Sequence, residues 1–172
     1  MRKVVILDTS MLCVWLQVSG YETCGTTKDN WNFDRVDQKI KEEINSQSTL
    51  VLPLATIIET GNHISHTSGN LRYKTAQKLC DILICALNNE EPWAAFSAQA
   101  ELWNDENVLE LANDWPELAQ QSISIADATI IKVAQYYYEF GCNVEILTGD
   151  GGLKSYEPIP PEHPPIVPRR RK

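Results

Sequence analysis

Three short apolar runs constrain the architecture most: Val4–Leu7, Leu50–Leu54 and Val144–Leu147. Each is dominated by valine, isoleucine and leucine, as in strands buried on both faces. A strand with two dry faces needs helices over each of them. The segments between supply helical patterns. Ser10–Val18 is helical, and Asp34–Ser46 sets Val36, Ile40 and Ile44 against a charged opposite face. Thr56–His66 reads as a helix stopped by Ser68-Gly69. Leu71–Leu87 carries a stripe of Leu79, Ile82, Leu83 and Ala86, with Arg72 and Lys78 off it. Ser124–Phe140 turns Ile130, Ile131, Ala134 and Tyr138 one way and ends at Gly141. This alternation predicts an α/β fold, with a central, mostly parallel sheet flanked by helices.

Other segments carry weaker signals. Gly20–Asn32 is polar, holds two glycines and reads as a loop. Glu91–Trp103 is expected to be helical after Pro92, and Trp115–Gln121 to be a short helix with Pro116 in its first turn. Asn107–Leu111 fits either a short strand or a helical turn. From Pro158 the chain is proline-rich and ends in "RRRK", so a domain over 1–157 and an extended or disordered basic tail over 158–172 are expected. That tail binds nucleic acid on one reading and is merely solvated on another.

The five cysteines are odd in number and form no CxxC pair, which argues against a disulfide framework or structural zinc and fits a cytoplasmic setting. Arg2 and Lys3 before an apolar run resemble a weak signal peptide, but Asp8 interrupts the run and no clear small-residue cleavage pattern follows. No stretch approaches the roughly 18 apolar residues of a membrane span. The formal net charge is −8, and the last four residues are all basic, so the rest of the chain stands at −12. Bulk charge therefore repels polyanions, and handling one requires local basic patches or bound cations.

Asp8 closes the first apolar run, where an uncompensated carboxylate is costly. Three further acids sit at comparable places. Glu59 is expected in the first turn after the second strand, Asp127 in the first turn of Ser124–Phe140, and Asp150 just after the third strand. Each has an ordinary structural reading. Asp8 would cap a helix, Thr56-x-x-Glu59 and Ser124-x-x-Asp127 look like capping boxes, and Asp150 suits a glycine-rich turn. In a parallel α/β sheet, however, strand C-termini and the following helix N-termini share one edge, where ligands bind. Carboxylates gathered there repel one another and raise each other's pKa. A hard divalent cation, Mg²⁺ or Mn²⁺, is the natural compensation, and such a site suits phosphoester hydrolysis.

The segments around these acids resemble the PIN domain, the nuclease fold of VapC-type toxins and related ribonucleases. "VVILDTSML", "LPLATIIETGNHI", "SIADATIIKVAQ" and "VEILTGDGGLKSY" resemble its acid-bearing segments, in family order, across most of residues 4–156. The resemblance implies a three-layer fold and an Mg²⁺- or Mn²⁺-dependent endoribonuclease that uses water as nucleophile. It implies Asp8 and Asp127 as main metal ligands, Glu59 and Asp150 completing the site, and Thr9, Ser10 and Thr148 orienting carboxylates or waters. A toxin role would imply an antitoxin or other protein partner. Two alternatives stand beside it: a PIN scaffold that binds nucleic acid or protein without catalysis, and a haloacid-dehalogenase-like phosphatase suggested by "TGDGG". The phosphatase needs a second aspartate two residues after the nucleophile, where this chain has Ser10.

His63 and His66 follow Glu59 at helical spacing, as metal ligands, a general acid, or a plain polar face. Trp93, Trp103, Trp115 and Tyr136–Tyr138 fit base stacking, core packing or a homodimer interface. Arg72, Lys74 and Lys78 fit phosphate contacts near the rim or a solvated helix face.

Overall fold

A computed structural model describes residues 1–159. The expected tail lies almost wholly outside these residues. Strands β1 (Lys3–Leu7), β4 (Thr49–Val51) and β5 (Asn143–Leu147) form one parallel sheet in the order β4-β1-β5. Val5 is aligned with Leu50 on one side and Glu145 on the other. The strand at the centre is thus the first apolar run of the chain, buried from Val4 through Leu7.

The alternation of side chains along β1 divides the core in two. Val5 and Leu7 pack with helices α1 (Thr9–Leu16), α2 (Phe33–Asn45), α3 (Leu54–His66) and α4 (Leu71–Leu87) through Leu12, Val36, Ile64 and Leu79. Val4 and Ile6 pack with α5 (Asp105–Gln120), α6 (Ile125–Glu139) and α7 (Gly151–Lys154) through Leu111, Ile130 and Leu153. The result is the α/β layering expected, a parallel three-stranded sheet with helices on both faces. Among the described residues no helix is long and apolar enough to cross a membrane.

Four expectations need correction. Gly20–Asn32 contains an antiparallel hairpin, β2 (Thr23–Gly25) with β3 (Asn30–Asn32), rather than a plain loop. Its strands have three residues each, and only the paired Cys24 and Trp31 face the core, so no periodicity was legible. The second strand ends at Val51 instead of Leu54, and α3 begins at Leu54 with Pro53 as its N-cap. Thr56 therefore lies inside the helix, where its buried hydroxyl donates to the Leu7 carbonyl at 2.9 Å. The Thr56–Glu59 capping box does not form.

Glu91–Trp103 is not a single helix. Trp93 bridges to Leu50 in parallel fashion, and only Phe96–Trp103 is helical, of the 3-10 type. Gln99 in that segment is buried and donates to the Leu52 carbonyl at 3.0 Å. Finally, 107–111 and 115–121 belong to one helix, α5, which runs through Pro116. Leu111, Trp115 and Leu118 continue a single inward stripe across the proline. Packing of that stripe outweighs the helical hydrogen bond that proline cannot make.

Candidate active site

Parallel topology brings the ends of β1 and β5 together, and the Asp8 amide donates to the Leu147 carbonyl at 3.1 Å. Asp8, Glu59, Asp127 and Asp150 all line one wide, open cleft of about 550 Å³ at this edge. The four expected acids are thus gathered on one rim.

Asp8 is the best anchored. It is buried and caps α1, its Oδ1 accepting from the Thr9 amide at 2.6 Å. Its Oδ2 accepts from the Ser10 hydroxyl at 2.6 Å and the Thr148 hydroxyl at 2.8 Å. Thr148 Oγ1 in turn accepts from the Asp150 amide at 2.9 Å, tying the two strand ends together. Burial pushes the Asp8 carboxyl above the usual range, the hydroxyls of Ser10 and Thr148 oppose that, and the negative charge of Asp127 adds to it. Ser10 and Thr148 thus both donate to the Asp8 carboxylate.

Thr9 serves a different acid: its hydroxyl donates to Glu59 Oε2 at 2.8 Å. Glu59 stands in the second turn of α3 because that helix starts earlier than its sequence implies. Asp127 does form a capping box with Ser124. Asp150 caps α7, with Oδ1 accepting from the Gly152 amide at 2.6 Å. The caps at Asp127 and Asp150 each engage only one carboxylate oxygen. Among the described residues, Glu59 Oε1, Asp127 Oδ1 and Asp150 Oδ2 have no protein donor.

No lysine or arginine among the described residues lines this cleft. Four carboxylates, one of them buried, share this cleft. This hard oxygen donor set fits Mg²⁺ or Mn²⁺ in chemical type. As the side chains stand, no three Asp, Glu, His or Cys groups among the described residues converge closely enough to hold one metal ion. Asp150 is exposed there, and Glu59 and Asp127 are half-buried.

His63 also lines the cleft, its Nδ1 at 2.7 Å from the Tyr21 hydroxyl and the two rings 4.6 Å apart. His66 does not join it: its ring lies against the Asn62 carbonyl and is exposed. The expected three-residue face of Glu59, His63 and His66 thus reduces to two at the cleft. Arg72, Lys74 and Lys78 do not line the rim either; Arg72 donates to the Thr67 carbonyl and Lys78 to Gln17. Tyr136–Tyr138 lie near the far end of α6 from Asp127, and Tyr137 packs into the core. Trp93 meets Trp15 with tilted rings whose centres are 6.4 Å apart, and the Trp115 indole donates to the Ile123 carbonyl.

Sequence reading missed the hairpin wall of the cleft, where Gly25 and Thr26 face the acids, and missed Tyr21. A glycine pair permits that wall. Gly25 has φ +91°, and Gly149 meets it so closely that a Cβ there would lie 2.7 Å from the Gly25 nitrogen and 3.0 Å from Cys24 Sγ. Gly149→Ala is therefore expected to push the hairpin outward at a cost of about 1–3 kcal/mol. Faster proteolysis at Lys28 and altered Trp31 fluorescence would report it; an unchanged digestion pattern would refute the docking.

Compared with family models, curated proteins and solved structures, the chain has no match.

Proposed function

We propose that this chain is a PIN-type endoribonuclease that hydrolyses RNA phosphodiester bonds with Mg²⁺ or Mn²⁺. The observation that carries the reading is the presence of Asp8, Glu59, Asp127 and Asp150 in the lining of one open cleft that no lysine or arginine among the described residues shares. Asp8 and Asp127 would be the main ligands of the cation, and Glu59 and Asp150 would complete the set. When bound, the cation would offset the charge of a phosphodiester and lower the pKa of an attacking water. The chain's own residues hold the donor set in place. Ser10 and Thr148 fix Asp8, Thr9 fixes Glu59, and Ser124 fixes Asp127.

The cleft's acidity also bears on the substrate. A polyanion approaching it is repelled until cations are present, so activity should depend on metal for binding as well as for chemistry. A toxin paired with an antitoxin is the biological setting most in keeping with the resemblance. An arginine-bearing partner segment would match the carboxylate rim. The Ser10 hydroxyl, bonded to Asp8, occupies the position where a haloacid-dehalogenase-like phosphatase needs its acid, and this disfavours phosphatase chemistry.

Digestion of a panel of structured RNAs with Mg²⁺, Mn²⁺ or EDTA tests the proposal. Cleavage is expected with either metal and none with EDTA. RNA binding without cleavage under every condition would favour the non-catalytic scaffold, and cleavage that persists in EDTA would rule out a metal-dependent site.

A further inference from the structure

Helix α4 is apolar on two opposite faces. Thr75, Leu79 and Ala86 are buried against the domain. On the outer side, Tyr73 (78% exposed), Ile84 (51%) and Leu87 (58%) line up with the exposed Gln77 and Cys80. Positions 73, 77, 80, 84 and 87 alternate in steps of four and three, the spacing of a helix–helix seam.

The charges of α4 are arranged against its own dipole. Arg72 and Lys74 stand in or beside its first turn, while Asp81 follows the midpoint and Glu90 and Glu91 follow the end. The first turn has no acid, the last turn no base, and Asn70 makes no side-chain capping bond. Each feature disfavours a helix standing alone. An antiparallel neighbour with the same sequence would offset the charge pattern, because its acidic half would lie beside the basic half.

We propose that the outer face of α4 pairs antiparallel with α4 of a second copy of this chain. The seam spacing gives one register in which apolar and charged positions agree. Tyr73 packs on Ile84 of the second copy, Gln77 faces its Cys80, and Lys74 lies beside its Asp81. Two-fold symmetry repeats each contact, so the interface is self-complementary. Lys74 forms no ion pair among the described residues and is exposed, leaving it available for this contact. The pairing uses no residue lining the acidic cleft.

Sedimentation velocity on the full chain over a range of concentrations tests this. The wild type is expected to dimerise and Ile84→Lys to be monomeric with unchanged far-UV circular dichroism. Lys74→Asp should weaken the dimer on the order of tenfold, and Lys74→Asp with Asp81→Lys should restore it. Gln77→Cys should give a covalent dimer under mild oxidation by copper phenanthroline, through Cys80 of the second copy, and Cys80→Ser in that background should prevent it. A wild type monomeric at every concentration would overturn the proposal. So would a dimer indifferent to Ile84→Lys, or a charge swap that fails to restore association.

Discussion

Asp8→Asn is expected to abolish RNA cleavage while making the protein more stable. The two effects share one cause. The Asp8 carboxylate is buried at the end of β1 and lies close enough to Asp127 to feel its charge. Its pKa is raised in the folded state, chiefly by burial. The sign follows from linkage: a carboxyl whose folded pKa exceeds its unfolded value favours folding while protonated, and that contribution is lost as pH rises through the folded pKa. Once pH rises above the folded pKa, the buried charge therefore opposes folding. Asparagine keeps the shape without the charge. Its oxygen still accepts from the Thr9 amide, and its amide can donate to the Ser10 or Thr148 hydroxyl oxygen.

On the proposed reading, in which Asp8 is a main metal ligand, its loss should lower cleavage on the order of 10³-fold, comparable to removing a key electrostatic group. Thermal melts in EDTA at pH 7 should show Asp8→Asn melting a few degrees above wild type, the shift that about 1 kcal/mol produces in a domain of this size. The difference should close as pH falls and wild-type Asp8 becomes protonated. A variant that still cleaves, or that melts below wild type in EDTA, would remove Asp8 from the role assigned to it.

Glu43→Gln should act oppositely, destabilising the protein without touching the cleft. Glu43 is buried; its Oε1 accepts from Lys3 and Lys39, each at 2.6 Å, and its Oε2 accepts from Ser48 at 2.6 Å. Glu145 closes a ring of alternating charge, 2.7 Å from Lys3 and 3.0 Å from Lys39. Burial opposes ionisation of Glu43 and is the largest single influence. The bonds from Lys3, Lys39 and Ser48 together exceed it and bring the carboxyl down to about 2.

A depressed folded pKa means stability that is present above the unfolded value and lost as pH falls through the folded one. The shift from 4.5 to about 2 sets an upper bound of roughly 3 kcal/mol. Partial exposure of Lys3 and Lys39 trims this, so Glu43→Gln should cost about 2 kcal/mol at neutral pH. Urea denaturation should show the wild type losing that advantage between about pH 4.5 and 2. Equal stability of wild type and variant at pH 7 would show that the ring contributes nothing net.

The parts legible in the sequence were those with local or periodic causes. Val4–Leu7 and Val144–Leu147 read as buried strands because their apolar content serves two packed faces. The limits of Leu71–Leu87 agree with α4, and Ser124 and Asp127 read as a capping box because all its atoms lie within one helical turn. Failures came where distant contacts outweighed local signals. Thr56 and Glu59 have the spacing of a capping box, yet the helix begins at Leu54, and Thr56 instead holds the Leu7 carbonyl, 49 residues away in sequence. Pro116 suggested a helix start, yet the stripe of Leu111, Trp115 and Leu118 carries α5 through it.

By itself, then, the sequence determined the layered α/β class and placed Asp8, Asp127 and Asp150 at element ends, because burial and capping leave patterns a few residues long. Only the tertiary structure decided that Thr9 serves Glu59 while Ser10 and Thr148 serve Asp8, that His63 faces the cleft and His66 does not, and that a hairpin rests on Gly149 as one wall. Those choices depend on how β1, β5, α3 and the hairpin meet in space, and contacts between segments so far apart along the chain leave no periodic trace.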